Sequence, residues 1–335
     1  MIRDAKRELS STRVLPTADY PIDASTSLLW CSTMQLAWDE LEQLLGGNVR
    51  AAETNPVVDA LNTAPDARPD LDEPSYVALA GTGKDILERI TQEMSRKFPQ
   101  EQTLLPPANL REDEFLAYAY LFKNLEFAYP LMPRESAFSF NGQGSFAAFG
   151  LWKDSDRIDA DRRERWNQVK VLHYHAPDDW SIQIEHKNPG DRLIIARSPL
   201  QPTLGQTLAR VINQPLNDNA PYLKSDERLI VPRIDFDITR DFDELADVEL
   251  RGEGFPPVIV RQAIQTIQFR LDERGAVLKS RAQIKGDVMS APVPDKPREF
   301  VCDGPFFVIM MRDDAARPYF AAYIANDELL LPFTK

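Results

Sequence analysis

The chain has 335 residues, of which 43% are hydrophobic, and a formal net charge of −13. That apolar fraction is enough for a folded core and too high for a disordered chain. Because no cluster of Lys or Arg offsets the acidic charge, long-range electrostatics oppose binding to nucleic acid, to heparin-like polyanions and to acidic membranes. We therefore expect neither nucleic acid nor a membrane among its partners.

The ends and the cysteines bear on the compartment. No apolar run approaches the roughly 20 residues of a membrane span. The first residues, MIRDAKRELSS, lack the apolar core of a secretory signal, so we expect a cytoplasmic protein, although a trimmed secreted chain would read the same. Cys31 and Cys302 are too few for a disulfide framework or a thiolate zinc site, and we expect both to be buried and reduced.

The first third of the chain predicts mainly helices. STMQLAWDELEQLLGG (residues 32–47) places Met34, Leu41 and Leu45 on one helical face before a Gly-Gly stop. SYVALAG (residues 75–81) predicts a short strand, and GKDILERITQEMSRKF predicts an amphipathic helix after it.

Strands dominate from about residue 111 onward. The predicted strands are EFLAYAYLFKNLEF (residues 114–127), a hairpin turning at NGQG, then VKVLHYHA, WSIQIEHK, DRLIIARS, ERLIVPRIDFDI, AIQTIQFRLDERG, EFVCD, GPFFVIMMRDD and RPYFAAYIAND. Pro232 puts its strand at an edge or a bulge. PTLGQTLARVI and DFDELADVEL predict short helices. The order predicts an α+β fold in a single domain (1–335), with a helical part at about 1–110 and a sheet-rich part at about 111–335.

One glycine-rich turn has the appearance of a phosphate-binding loop. GTGKD (residues 81–85) lies between a predicted strand and a predicted helix. However, Ala78 stands where such a loop needs Gly, and Asp85 stands where it needs Ser or Thr. We therefore interpret this turn as a helix start with Thr82 or Gly83 near the cap.

The three histidines are the other candidates for chemistry. His173 and His175 share one face of a predicted strand, and His186 lies on the next strand. Zinc or iron would need three or four converging ligands. No GxSxG elbow or other nucleophile context is present. We expect no metal, no cofactor, no catalytic residues and no enzyme activity.

The order of segments from residue 115 to the end resembles the serpins, the serine protease inhibitor superfamily. YAYLFKNLEF resembles the family's central-strand motif, and VKVLHYHAPDDWSIQIEHKNPGDRLIIARSP is similar to three successive strands of its second sheet. LIVPRIDFDITRDFDEL is similar to the family's Leu-Pro-Lys-Phe strand and the helix after it, and AIQTIQFRLDERG is similar to the strand that precedes the reactive loop. FVCDGPFFVIMMRDDAARPYFAAYIAN is similar to the family's closing segment. The N-terminal third matches loosely, and the chain is shorter than a usual serpin.

The resemblance implies a serpin-like fold, with a large mixed or antiparallel main sheet, smaller sheets and helices mainly near the N-terminus. It also implies a reactive-loop region at about residues 275–298. In serpins this loop offers a bait bond to a protease and, once cleaved, inserts as a new strand into the main sheet. By the family's spacing the bait bond falls at Met289–Ser290, and a Met there suits an elastase-like or chymotrypsin-like protease.

The hinge of this loop departs from that of inhibitors, in which small residues follow a glycine so that insertion is fast. Here Leu278, Lys279 and Arg281 are bulky or charged, which is typical of non-inhibitory family members. The resemblance assigns the hinge to Glu273, Gly275, Ala276, Leu278, Ser280 and Arg281.

Two further positions differ from the family. Tyr118 stands where serpins have an Asn in a polar network under the sheet. Gln265 occupies a nearby position where His is common. The network that controls sheet opening is therefore expected to be altered.

Residues 276–285 alternate in a period of two, with small or apolar side chains at every second position. That pattern predicts a strand with one buried face. Burial of Leu278 and Ile284 stabilises by roughly 1.5–3 kcal/mol each relative to exposure. We therefore predict that this segment is already a strand of the main sheet in the resting protein. A loop that stays exposed and inserts slowly after cleavage is the alternative.

Two functions remain open. The first is a non-inhibitory binding or scaffold protein, for which a protease or another protein is the candidate partner. The second is inhibition of a serine or cysteine protease through Met289–Ser290. A monomer and a dimer whose copies exchange the loop are both compatible with the sequence.

Overall fold

The protein is described from a computed structural model. The described residues are 10–99, 110–112, 114–153, 162–187, 190–214, 222–276 and 297–334. Residues 277–296 lie outside them, and with them five of the predicted site residues: Leu278, Ser280, Arg281, Met289 and Ser290.

Three of the α-helices lie before residue 98, as the sequence predicts. The helix predicted at 32–47 ends where Gly46 and Gly47 both take the left-handed conformation, with φ of 85° and 84°. Thr82 is the N-cap residue of the helix that begins at Gly83, although its side chain makes no capping hydrogen bond, so the turn is a helix start as predicted. The α-helices are α1 (Thr33–Leu44), α2 (Pro56–Thr63), α3 (Gly83–Lys97), α4 (Arg162–Asn167) and α5 (Leu204–Ile212). Short 3₁₀ turns are Arg68–Asp70, Glu73–Ser75 and Asp243–Leu245.

The strands, in chain order, are β1 (Thr12–Leu15), β2 (Ser27–Cys31), β3 (Arg50–Ala51), β4 (Tyr76–Thr82), β5 (Phe115–Leu121), β6 (Leu125–Glu126), β7 (Met132–Pro133), β8 (Phe138–Phe140), β9 (Gln143–Phe146), β10 (Ala148–Leu151), β11 (Val169–Ala176), β12 (Asp179–Ile184), β13 (Asp191–Arg197), β14 (Arg228–Pro232), β15 (Ile234–Asp241), β16 (Glu249–Arg251), β17 (Val258–Ile259), β18 (Ile264–Asp272), β19 (Gly275–Ala276), β20 (Glu299–Val301), β21 (Phe306–Arg312) and β22 (Pro318–Ile324).

The largest sheet has seven strands in the order β1-β2-β22-β21-β13-β12-β11. Its β1–β2 pair is parallel and its other pairs are antiparallel, so it is mixed. Strands β21 and β22 are apolar and buried almost without interruption, because each face of the sheet is covered. One face joins the main core, and α5 covers the other through Leu204, Leu208 and Val211. The expected α+β class, with a large mixed sheet and smaller ones, is confirmed.

Two segments depart from their predicted structure. ERLIVPRIDFDI divides at Pro232, where β14 of the sheet β20-β14-β10-β7 ends, and resumes as β15 in another sheet. Proline has no N–H to donate, so it suits the point at which the chain leaves one sheet for the next. DFDELADVEL forms a single 3₁₀ turn and then β16, not a helix.

Among the described residues, the main sheet that was predicted to receive the loop is divided into two separate sheets. Strands β4 and β5 form one antiparallel pair, and β15-β18-β19-β6 form a separate sheet. The predicted strand 114–127 breaks at residues 122–124, between β5 and β6. Within the described ranges, β5 pairs only with β4, and residues 264–270 of β18 pair only with β15. We call the interval between β5 and these residues of β18 the slot.

Helices cover both faces of the β4–β5 pair. Ile86, Ile90 and Met94 of α3 pack with Val77 of β4 in a cluster of their own. Helix α1 packs on the opposite face, where its apolar residues belong to the main core. One wall of the slot is therefore a two-stranded sheet held between two helices.

A substitution at Gly150 tests how closely β10 and β14 approach each other. Gly150 has φ of 156°, and a Cβ there would lie 1.9 Å from the Leu229 carbonyl oxygen. We expect Gly150→Ala to lower the free energy of unfolding by about 3 kcal/mol, the upper end of ordinary single substitutions. Urea denaturation measures the loss.

Gly47→Ala is the matched control, because its φ of 84° is strained while no heavy atom lies within 4 Å of its added Cβ. Its loss is expected to be about 1–2 kcal/mol, from backbone strain alone. Equal losses in the two variants would contradict the steric explanation.

Candidate functional site

The loop region begins inside a sheet. Strand β18 ends at Asp272, the chain turns through Glu273 and Arg274, and β19 follows at once. Gly275 pairs with Asp272 on one side and with Glu126 on the other. The first residues of the loop region therefore lie between β18 and β6, at one end of the slot.

Gly275 occupies a place that no other residue fits. Its φ is 137°, and an added Cβ would lie 2.3 Å from the Leu125 carbonyl oxygen and 2.9 Å from the Phe127 nitrogen. Because these contacts are with backbone atoms, side-chain rearrangement cannot relieve them. The resemblance predicts a hinge glycine at this position; the backbone contacts explain why glycine is required here, and its role as a hinge stays a prediction.

Ala276 fits the alternation of buried and exposed side chains along the neighbouring strand β18. It lies opposite Leu271 and is 1% exposed. On β18 the residues Gln265, Ile267, Phe269 and Leu271 are buried, while Thr266, Gln268 and Arg270 between them are exposed. Ala276 thus faces the main core.

Glu273 fixes the turn before the hinge. Its carboxylate lies 2.6 Å from the Arg233 guanidinium, and its carbonyl oxygen accepts a 2.7 Å hydrogen bond from the Leu131 N–H. Both side chains are partly shielded from water, so the pair is screened less than a surface ion pair. Arg233 is the residue between β14 and β15, so the pair connects the hinge to the junction of two sheets.

The opposite side of β6 is held by residues 185–187, which follow β12 and which we call the brace. Phe127 forms a β-bridge with His186, and the Lys187 N–H donates to the Glu126 carbonyl oxygen at 2.8 Å. The Lys187 ammonium also pairs with the Glu126 carboxylate. The Phe127 N–H points the other way and donates to the Arg274 carbonyl oxygen at 2.9 Å. Residues 126–128 are therefore clamped between the brace and the hinge turn.

A buried ion pair lies beside this clamp. The Lys123 ammonium, in the break between β5 and β6, lies 2.8 Å from the Asp191 carboxylate, and their side chains are 9% and 10% exposed. Lys123 also lies over the Tyr319 ring, 5.3 Å from its centroid. Burial, reinforced by the Asp191 charge, raises the pKa of Tyr319 well above its usual range. Removal of either partner of such a pair leaves an uncompensated buried charge.

Gln265 ties the far end of β18 to α1. Its side chain is buried, and Nε2 donates to the Cys31 carbonyl oxygen at 3.1 Å and to Thr33 Oγ1 at 2.8 Å. Tyr118 does not join this network among the described residues. It packs in the α3 cluster, on the other face of β5, and burial raises its pKa to about 12. The strand alternation places Ala117 and Ala119, not Tyr118, against the main core that includes α1.

The remaining candidates do not converge. His173 and His175 lie on β11, away from the brace. Within the described ranges no group of three or more His, Cys, Asp or Glu could hold a metal ion. Cys31 and Cys302 are free and buried, as expected, and burial raises the pKa of each thiol. No helix in the described part of the chain is long and apolar enough to cross a membrane.

Sequence reasoning missed Lys123, Asp191 and Arg233. Only Lys123 carried a local signal, since it is the one charge in the apolar run LAYAYLFKNL. A lone lysine in a predicted buried strand needs a counter-charge, and that requirement marks it as structural.

The comparisons with known proteins give structural matches alone. No protein-family model matches the chain, and no curated protein matches its sequence significantly. The crystal structure of Manduca sexta serine protease inhibitor (serpin)-12 aligns with a TM-score of 0.51 at 14% identity, covering 91% of this chain and 94% of that chain. Serpin48, described as a highly specific serpin in the insect Tenebrio molitor, gives 0.46 at 13% identity over 90% and 92%. Thyroxine-binding globulin in complex with thyroxine gives 0.40 at 9% identity over 72% and 64%.

The alignment with the Manduca sexta structure spans nearly the whole of both chains. The molecule is an α+β protein whose loop region starts within a divided sheet. Its fold is serpin-like, which confirms the resemblance noted in the sequence.

Gly275→Ala tests the close approach at the hinge. The added Cβ would force Gly275 away from Leu125, so we expect the pairing of β19 with β6 to be lost. The Phe127 amide, which donates to Arg274, should then exchange with deuterium faster. Gly142→Ala, at φ of 72° with no atom within 4 Å of its Cβ, should leave that amide unchanged. If the Phe127 amide of Gly275→Ala exchanges at the wild-type rate, the close backbone approach at Gly275 is not what holds β19 against β6.

Gln265→Leu tests the tie between β18 and α1. The substitution leaves the Cys31 carbonyl and the Thr33 hydroxyl without their donor, and we expect it to cost about 2 kcal/mol of unfolding free energy. Gln268→Leu, on the exposed face of β18, should cost about 0.5 kcal/mol or less. Chemical denaturation compares the two, and equal effects would contradict a role for the buried amide.

Proposed function

We propose that the chain is a non-inhibitory serpin-like binding or scaffold protein in which the segment after Gly275 is a strand of the main sheet in the resting state. The observation that carries the proposal is the position of Gly275 and Ala276. They pair with strands on both sides, and Ala276 faces the core. On this proposal, insertion begins at these two residues without any cleavage.

The slot is of the right length for the rest of the segment. The register of Ala276 opposite Leu271 would bring residues 277–283 opposite Arg270–Ile264. Leu278 would then lie beside Phe269 on the core face, and Lys279 would lie beside Gln268 on the exposed face. The edges of β5 and β18 that are unpaired among the described residues would gain the hydrogen-bond partners that buried backbone groups require.

A strand that is inserted at rest cannot act as bait. The free energy of insertion is the driving force of the inhibitory mechanism, and here it would be released at folding. Fast insertion also needs small side chains, whereas those of Lys279 and Arg281 are long and charged. The protein would instead present the exposed face and the ends of a completed sheet to a partner protein.

Protease inhibition through Met289–Ser290 is the second candidate. The structural match to a Manduca sexta protein named a serine protease inhibitor favours it. It requires the segment after Ala276 to remain outside the sheet until a protease cleaves it.

Two substitutions of adjacent residues separate the candidates. In an inserted strand, Leu278→Asp buries a carboxylate and should cost about 3 kcal/mol or more, whereas Lys279→Asp faces solvent and should cost about 0.5 kcal/mol or less. In an exposed loop neither substitution should change stability. Thermal and urea denaturation of both variants provide the measurement.

Incubation with elastase-like and chymotrypsin-like proteases tests the same point by chemistry. We expect no covalent complex that survives denaturant, and no rise in melting temperature after limited cleavage within residues 286–296. A denaturant-resistant complex would establish inhibition. A large rise in melting temperature on cleavage would show that the loop lies outside the sheet in the uncleaved protein, which contradicts resting insertion. Light scattering on the same samples separates a monomer from a dimer whose copies exchange the loop.

A further inference from the structure

We infer that the brace is a proton-operated latch: protonation of His186 weakens the contact of residues 185–187 with residues 126–128, and so loosens the pairing of Glu126 with Gly275. The inference deepens the proposed function by assigning a regulation to the same end of the slot. It depends on residues 123–128, 185–187 and 271–276, all of which the structure describes, and not on the state of the segment after Ala276.

The brace is the element that backs β6. Its contacts with β6 are the Phe127–His186 bridge, the hydrogen bond from Lys187 N–H to Glu126, and the Lys187–Glu126 ion pair. Glu126 pairs with Gly275 on its other side. If the brace withdraws, residues 126–127 lose one of the two elements that hold them against the hinge.

His186 fits this clamp as a neutral ring. Its Nε2 lies 3.0 Å from the Asp191 carbonyl oxygen, so Nε2 carries the hydrogen and donates. Nδ1 is buried and has no hydrogen-bond partner among the described residues, and in the neutral ring it is an unprotonated acceptor. Protonation would turn Nδ1 into a buried N–H without an acceptor and add a charge, and each change has a cost.

The charges around His186 do not offset that cost. Asp191, at the start of β13, attracts the imidazolium through its charge and through its carbonyl hydrogen bond, but Lys123, 2.8 Å from the Asp191 carboxylate, repels a second cation. Asp313, which follows β21, attracts the imidazolium, and the Lys187–Glu126 pair beside it is internally balanced. Burial outweighs these attractions and lowers the pKa of His186 below 6.5.

The direction of the pH effect follows. When the brace is closed the pKa of His186 is lowered, whereas an opened brace exposes the ring and restores a value near 6.5. The closed form is therefore fully favoured above pH 6.5 and loses stability as the pH falls through that value. Each unit of difference in pKa between the two forms changes their equilibrium by about tenfold.

Hydrogen exchange at two amides tests the latch in the full-length protein. The Phe127 N–H donates to the Arg274 carbonyl oxygen and the Leu131 N–H donates to the Glu273 carbonyl oxygen. Both amides therefore report on whether the turn at residues 273–274 stays in place. After correction for intrinsic exchange rates, we expect wild-type protection at these amides to fall between pH 7.5 and pH 5.5. If the pKa of His186 differs by one unit between the closed and open forms, the fall is about fivefold, because pH 5.5 reaches only part of the tenfold limit.

Variants assign the effect to one histidine. His186→Gln keeps a neutral donor near the Nε2 position and cannot titrate, so protection should become independent of pH. His175→Gln, on the exposed part of β11, should behave like the wild type. The latch is refuted if His186→Gln retains the wild-type pH dependence, or if the wild type shows none.

An NMR titration of the wild-type imidazole signals gives a second readout that needs no variant. We expect the pKa of His186 to lie below 6.5, and a value at or above 6.5 would overturn the inference. The Leu278→Asp and Lys279→Asp comparison reports separately on insertion. Equal stability of those two variants with an intact pH response would refute the proposed function and leave the latch standing.

Discussion

The backbone contact at Gly275 is the constraint on which the functional end of the molecule depends. A hydrogen atom in place of a side chain lets the chain turn back from β18 and lie directly against Leu125 and Phe127. That approach brings Ala276 to the core face and fixes its register opposite Leu271. This register sets one end of the slot, and the proposed resting insertion of the following segment depends on it.

One buried and one partly buried ion pair hold the surroundings of that contact in place. The Lys123–Asp191 pair closes the break between β5 and β6, and the Glu273–Arg233 pair holds the turn on the other side. Buried ion pairs add modest net stability, but their partners cannot separate without a large cost. Here the two ion pairs hold β6 and the turn before Gly275 close enough for their backbones to pair.

Local patterns predicted the local elements. The sequence predicted helix α1 because its apolar face and its Gly-Gly stop lie within one short segment. It predicted β11, β12 and β13 because turn residues separate them. The division at Pro232, the break after β5 and the orientation of Tyr118 were not predicted, because each depends on which strand lies alongside. The resemblance located Gly275 by spacing, whereas the need for glycine there comes from Leu125, 150 residues earlier in the chain.

The junction at Arg233 joins parts of the molecule that are otherwise separate. Its N–H donates to the Ala147 carbonyl oxygen, its carbonyl oxygen accepts from the Leu331 N–H, and its guanidinium holds Glu273. Strand β14, which ends one residue earlier, pairs with β20, where the chain returns after the loop region. The entry and the exit of that region are thus both attached at this junction, the entry through the Glu273 ion pair and the pairing of β15 with β18, and the exit through β14, so a displacement here would disturb both ends.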